Sequence, residues 1–149
     1  MTLLDTIRLI ENLAAAQPAV HMIVRQDARR LNDCPDARYG AFAWVQSIHK
    51  ATVTTGIIFE FNLFYIDRLT ADRKNETEIQ SIGVQVLDNV IHGLYEADGV
   101  IDILEYTFTP FDYRFADECA GVYTTVRIEV DRDTDCEADY GFTQTIKII

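Results

Sequence analysis

Apolar and polar residues alternate between Gly56 and Asp67, which predicts one long β-strand. Glu60 and Asn62 place polar groups on one face of this strand. The other face is apolar at the two-residue spacing of a strand, through Ile57, Phe59, Phe61, Leu63 and Tyr65. A strand of this length with a continuous apolar face is typical of the centre of a sheet.

A helical pattern follows between Asn75 and Gly99. Asn75 is placed to cap the helix, and Glu78, three residues later, is placed to complete a capping box. Gly99 suits the left-handed turn that ends a helix. Apolar residues then recur at three- and four-residue intervals, at Ile79, Ile82, Val86, Val90 and Leu94. We therefore expect one helix that covers the central strand.

A first helix is predicted from Thr2 to about Ala16, with Thr2 and Asp5 at the spacing of a capping box. Alternation predicts four further strands, at Val20–Gln26, Gly40–Ser47, Val100–Thr109 and Gly121–Asp131. The second of these is expected to form a hairpin with the strand that ends at Asp67.

Two segments are predicted to be connections. Asp27–Arg38 is polar and rich in turn-forming residues, and it is expected to be either an ordered excursion or a flexible loop. Pro110 is expected to end the strand before it, so that Phe111–Ala120 forms an aromatic and acidic connection. Its rings are expected either to pack under the loop or to contact a partner.

The predicted order of elements is α-β-β-β-α-β-β, followed by a short arm. It indicates one α+β domain over residues 1–149, with a mostly antiparallel sheet of about five or six strands and two main helices packed on it. The arm, residues 140–149, alternates again. It is expected to be either an edge strand or an extension that adds to the sheet of a neighbouring subunit.

Charge is concentrated in one part of the chain. The net formal charge is −11, and residues 96–139 contain thirteen acids and three bases, which gives −10 of that total. A protein that grips nucleic acid by its phosphates needs the opposite sign, so specific DNA binding is not expected.

Three further features of the sequence bear on where in the cell the protein is expected. There is no run of eighteen apolar residues to span a membrane, and the start of the chain lacks the basic and apolar regions of a secretory signal. Cys34, Cys119 and Cys136 have no metal-like spacing, so we expect reduced thiols in a cytosolic setting.

No catalytic, cofactor-binding or metal-binding motif is found in the sequence. The acidic stretch Asp131–Asp139 resembles the opening of a calcium loop, but Cys136 stands where glycine is needed and Phe142 where a bidentate glutamate is needed. A solvated acidic loop is the preferred interpretation. The Asp67–Lys74 turn is interpreted as a solvated loop or a subunit contact.

The later part of the hairpin and the helix resemble a known class of proteins. Phe64–Arg68 (Phe-Tyr-Ile-Asp-Arg), the turn through Asn75 and Glu76, and the helix from Ile79 to Leu94 resemble tail-completion or tail-terminator-like neck proteins of tailed bacteriophages. Further matching residues are Pro110, Phe111, Asp117, Ala120–Tyr123 and Cys136. These are similar to small tail-region proteins of crAss-like and related phages of gut Bacteroides-type bacteria.

The resemblance implies a structural protein of the virion and no enzymatic activity. Such proteins form homo-oligomeric rings at the neck or the head-proximal end of the tail, where they join or cap the tail and let the genome pass. The implied partners are other copies of the chain and other phage neck and tail proteins. DNA would pass nearby without specific binding, no membrane would be involved, and the protein would reside in the host cytoplasm before assembly.

Two hypotheses about the ring follow. The acids between Glu96 and Asp139 are expected to line or flank a channel, where like charge keeps DNA from adhering. The hairpin Gly40–Asp67 and the arm 140–149 are expected to be the two contact surfaces.

Two other classes of function remain open from the sequence. A small cytosolic α+β ligand-binding or enzyme domain would use a carboxylate in a cupped sheet, with Glu60 and Asp67 as the candidates. An acidic module that mimics nucleic acid would present acids spaced like phosphates on one face.

Overall fold

The computed structural model describes residues 1–33, 39–51, 56–104, 106–114 and 118–132. It contains two α-helices, α1 (Leu3–Ala15) and α2 (Glu76–Tyr95), and a 3-10 helix, Ala28–Asp33. The strands are β1 (Met22–Arg25), β2 (Ala41–Ala51), β3 (Ile57–Arg68), β4 (Val100–Ile103), β5 (Phe108–Arg114) and β6 (Glu118–Val130). The predicted α+β fold is confirmed.

The six strands form one sheet in the order β1-β2-β3-β6-β4, and β5 also pairs with β6. β1 runs parallel to β2, and every other pairing is antiparallel. β3 pairs with β2 on one side and with β6 on the other, from Ile57 opposite Val130 to Arg68 opposite Cys119. The predicted hairpin and the central position of the long strand are therefore confirmed.

Both helices pack on one face of the sheet. The alternate residues of β3 from Phe59 to Tyr65 are buried there, as are the alternate residues of β6 from Val122 to Val130. The stripe predicted for α2 is buried too, with Ile79, Val86, Val90 and Leu94 in the same core. The main hydrophobic core lies between the helices and this face of the sheet. Its residues are those expected from the helical and strand periodicity of the sequence.

The start of α1 has the predicted capping box. The Thr2 hydroxyl accepts a hydrogen bond from the backbone N–H of Asp5, and an Asp5 carboxylate oxygen accepts one from the backbone N–H of Thr2, at 3.1 and 3.0 Å. These bonds satisfy backbone donors that a helix start leaves unpaired.

The capping box predicted for α2 is wrong. Asn75 occupies the cap position without a side-chain capping bond. Its side-chain oxygen instead accepts from the backbone N–H of Thr70 at 2.9 Å, and its amide donates to the carbonyl of Arg68 at 3.1 Å. Asn75 therefore closes the turn between β3 and α2. Its side chain bonds to the backbone of this turn in place of the backbone N–H groups at the start of the helix.

Gly99 does not end α2 directly. The helix finishes at Tyr95, with Glu96 as its C-cap, and Gly99 has a φ of 90° in the turn just before β4. Glycine takes this left-handed conformation without the penalty that a Cβ atom would bring.

Two predictions between β4 and β6 are wrong: the continuous strand Val100–Thr109 and the connection Phe111–Ala120. The strand is interrupted after Ile103, and a new strand runs through Pro110 from Phe108 to Arg114. β5 pairs only with β6 among the described strands, so Pro110 lies at the edge of the sheet, where a missing N–H is tolerated. β6 also begins three residues before the prediction, at Glu118.

The arm 140–149 and nearly all of the acidic stretch Asp131–Asp139 lie outside the described residues, as do Cys34 and Cys136. Cys119 is buried. Within the described part of the chain, neither helix is long and apolar enough to cross a membrane.

Candidate functional site

Neither of the two described α-helices lies on the second face of the sheet. Here the even-numbered residues of β3 alternate with the buried set, and the 3-10 helix covers only the end of the face near Ile66. A small second core lies beneath it and contains the buried residues Val24, Leu31, Ala41, Ala43, Ile66 and Cys119. We call the remainder of this side, which no described helix covers, the open face.

An apolar groove lies on the open face beside the 3-10 helix. It has a volume of about 360 Å³, and its floor is formed by Val45, Phe64, Phe111 and Tyr123 from four different strands. Asp27, Ala28, Arg29 and Asp112 complete the lining. We call this feature the aromatic groove. Its volume lies within the range of sites that hold small ligands or a few side chains of a partner.

The three rings of the aromatic groove contact one another. Phe64 and Tyr123 lie opposite each other on β3 and β6 and are stacked, with centroids 5.7 Å apart and 30° between the planes. The Phe111 ring is T-shaped to Phe64 and tilted by 49° to Tyr123, and the ring centroids are 6.2 Å apart in both pairs. Because each ring is held by the other two, the groove is formed before any partner arrives.

Ion pairs fix the rim of the groove. Arg29 donates to both carboxylate oxygens of Asp27, and these hydrogen bonds lower the pKa of Asp27. On the other side, Arg73 donates to Asp112 at 2.7 Å, which raises the pKa of Arg73. The second pair ties the Asp67–Lys74 turn to β5, so this turn is anchored to the groove.

A polar strip continues along the open face from the groove. Arg127 donates to Glu60 at 2.7 Å and the Ser47 hydroxyl donates to the same carboxylate at 2.8 Å. The hydrogen bond from Arg127 is the main reason that the pKa of Glu60 is lowered. Beside this pair, the Thr125 hydroxyl donates to Asn62 at 2.7 Å.

The two carboxylates considered for catalysis, Glu60 and Asp67, are not brought together. They are seven residues apart on β3 and, by its alternation, on opposite faces of the sheet. The pKa of Glu60 is lowered, whereas a general base that works near neutral pH needs a raised one. Asp67 lies beside Tyr65, and burial raises the pKa of Tyr65 to about 12, with Asp67 adding to the shift.

No group of three or more metal-ligating side chains is found among the described residues. His21 is exposed beside β1, and His92 lies 3.9 Å from Asp88 on the surface of α2. His49 meets the edge of Phe59 at 5.4 Å. The three histidines therefore lie in separate places.

The acids described between Glu96 and Asp131 divide between the two ends of the sheet. Asp112 and Glu118 are at the groove end. Five others lie at or just before the far end, where Asp102 pairs in register with Glu129 and the backbone N–H of Asp131 donates to the carbonyl of Gly99 at 2.8 Å. We call these five the acidic end: Glu96, Asp98, Asp102, Glu129 and Asp131.

The aromatic groove was not predicted. Its residues come from β2, β3, β5 and β6, and nothing in the local sequence indicates that they meet. One signal was present: Phe64 and Tyr123 are aromatic residues that alternate with the inward-facing apolar residues of their predicted strands. Large rings at outward positions of two strands indicate a surface that needs a partner.

No model of a known protein family matches the chain, and no curated protein sequence matches it either.

Proposed function

We propose that this protein is a structural subunit of a phage virion without enzymatic activity. It forms a ring at the neck or the head-proximal end of the tail, joins or caps the tail, and lets the genome pass. The observation that carries the proposal is the unequal covering of the sheet. One face is buried under two helices, and the other offers the preformed aromatic groove. The proposed location in the neck or tail rests on the resemblance of Phe64–Arg68 and α2 to phage neck proteins.

The groove favours a protein partner. Its apolar floor is half-buried in the described part of the chain, and a contiguous apolar patch rimmed by polar groups is typical of interaction surfaces. Covering it would remove apolar surface from water, which contributes about 25 cal/mol for each Å². A rigid aromatic surface also binds a partner at a low cost in side-chain entropy.

A ring requires two different surfaces that match head to tail. The hairpin expected to provide one surface contributes Val45 and Phe64 to the groove. The groove is therefore our candidate for one half of the contact between neighbouring subunits.

The acidic end gives the channel hypothesis a physical basis. Asp98, Asp102 and Asp131 are exposed and lie at the end of the sheet away from the groove. In a ring that turns this end toward the lumen, the carboxylates would repel the phosphates of passing DNA and reduce its adhesion.

The proposal is tested by measuring the molar mass of the purified full chain by light scattering and imaging the same sample by negative stain. A closed ring with a fixed number of subunits is expected. Monomers or dimers at all concentrations would contradict the proposal and favour a ligand-binding domain.

A further inference from the structure

An ion pair ties β5 to the turn between β3 and α2. Arg73 lies in this turn, and its side chain donates to the carboxylate of Asp112 on β5 at 2.7 Å. Of the described strands, β5 pairs only with β6, so its other edge has no described strand beside it. An edge strand opens more easily than the centre of a sheet. The ion pair therefore supports the side of the aromatic groove that the sheet supports least.

The residue next to Asp112 belongs to the floor of the groove. Phe111 lies opposite Gly121 on β6, where a Cβ atom would come within 2.9 Å of the Phe111 ring. The glycine thus leaves the space in which this ring packs against Phe64 and Tyr123. A movement of β5 at Asp112 would therefore move a part of the groove floor.

The backbone of Arg73 has the left-handed conformation, with a φ of 56°. Glycine and asparagine adopt this conformation at a low cost, whereas arginine does not. Among the described residues, the other non-glycine with a positive φ is Gln26, which directly precedes Asp27 on the opposite rim of the groove. Backbone strain is concentrated at functional sites, and here it is present at both rims. The contact with Asp112 explains why an arginine occupies a position whose backbone favours glycine.

We propose that Arg73 is a positioning residue of the aromatic groove: through Asp112 it holds β5 in place and keeps Phe111 in the groove floor, and ionic strength controls how firmly. The two side chains of the pair are 43% and 58% exposed, so salt screens their attraction. The groove is best ordered at low salt, and its β5 side loosens as salt rises. This inference rests on the proposed function for the use of the groove, and it adds a control of that surface by ionic strength.

Hydrogen–deuterium exchange of the full chain measures the opening of β5. Arg73→Asn removes the guanidinium and suits the left-handed backbone. We expect exchange of the backbone amides of Phe108–Arg114 to rise about two- to fivefold, which is the range that an exposed ion pair supports, and α1 to exchange as in wild type. Arg73→Lys should stay close to wild type, because one nitrogen of Arg73 makes the bond to Asp112 and a lysine ammonium can replace it.

Lys74→Asn is the matched control, since Lys74 is the next residue of the turn and lies 3.8 Å from Asp72. It should leave exchange of β5 unchanged. Asp112→Ala breaks the proposed pair from the other side, so it should add little when combined with Arg73→Asn. Salt at about 1 M should raise exchange of β5 in wild type toward that of Arg73→Asn and change the variant much less.

Three results would overturn the inference: unchanged exchange of β5 in Arg73→Asn, an equal rise in β5 and α1, or additive effects of Arg73→Asn and Asp112→Ala. Light scattering checks that all samples are compared in the same oligomeric state. The measurement does not require a ring. Monomeric wild type with the expected exchange would contradict the proposed function alone, and rings with unchanged exchange of β5 in Arg73→Asn would contradict this inference alone.

Discussion

Phe64 and Tyr123 are direct cross-strand neighbours on β3 and β6, and their rings stack on the side of the sheet opposite α1 and α2. Their centroids are 5.7 Å apart. This pair holds the centre of the aromatic groove in place from within the sheet itself. The groove is therefore a property of the folded monomer, and its residues contribute to stability as well as to any contact with a partner.

The Phe64–Tyr123 contact should be measurable as a coupling energy. Phe64→Leu and Tyr123→Leu keep apolar volume but remove the stacked rings. A double-mutant cycle on the free energy of unfolding in urea is expected to give about 0.5–1.5 kcal/mol of coupling. The matched cycle uses Phe64→Leu with Tyr95→Leu, since Tyr95 is 59% exposed on α2. Additive effects in the first cycle would show that stacking does not stabilise the groove.

We expect Glu11 to stabilise the fold more as the hydrogen-bond acceptor of Trp44 than as the charged partner of Arg25. Its carboxylate accepts from Trp44 Nε1 at 3.0 Å and from Arg25 at 2.7 and 2.8 Å, which joins α1 to β1 and β2. Glu11→Ala would leave the Trp44 N–H without this acceptor, so we expect a loss of about 1–3 kcal/mol of stability.

Glu11→Gln is the control for that variant. It keeps an oxygen that can accept from Trp44 and removes the charge that faces Arg25. We expect it to lose less stability than Glu11→Ala in chemical denaturation. Equal losses for the two variants would mean that the ion pair with Arg25 dominates.

Glu60 should make stability depend on pH in the acid range. The hydrogen bond from Arg127 lowers the pKa of Glu60 below its ordinary value of 4.5 in the folded protein. Folding therefore favours the ionised form. The resulting stability is present above pH 4.5 and is lost as the pH falls through the lower, folded pKa.

The variant Glu60→Gln removes this dependence. We expect wild type to exceed it in stability by less than about 1 kcal/mol at pH 7, because Arg127 is half-exposed, and the difference should disappear at low pH. Urea unfolding at several pH values measures it, with Glu78→Gln on the exposed surface of α2 as the control. A difference that grows as the pH falls would contradict the assignment.

Gly121 should tolerate no side chain. A Cβ atom at this position of β6 would overlap the backbone carbonyl oxygen of Tyr65 on β3 and approach the Phe111 ring to 2.9 Å. Gly121→Ala is therefore expected to destabilise the protein by about 1–3 kcal/mol, because the two strands must move apart. Thr125→Ala, at an exposed position of the same strand, should cost much less in thermal unfolding. Similar melting temperatures for the two variants would show that β3 and β6 adjust freely here.

Much of the fold could be predicted from residue periodicity. β3, α2 and β6 each bury one continuous set of apolar residues, so their positions in the sequence indicate both the element and its inner face. β5 was missed because Pro110 indicates the end of a strand when its neighbours are unknown. Proline is acceptable there only because β5 lies at the edge of the sheet, and this depends on the tertiary structure.

The candidate site could not be predicted for a related reason. Val45, Phe64, Phe111 and Tyr123 meet only after the register of β2, β3, β5 and β6 is known. The role of Asn75 was similarly hidden, because a capping residue and a turn-closing residue have the same sequence signature. Local residue periodicity predicts helices and strands, whereas the residues that share a groove are known only once the strands have been placed in the sheet.

The most direct test of the central claim is a cryo-EM reconstruction of the assembled wild-type protein. We expect a closed ring in which each aromatic groove is covered by the neighbouring subunit and the acidic end, from Glu96 to Asp131, faces the channel. A ring with the groove open to solvent and the acids on its outer rim would contradict the account.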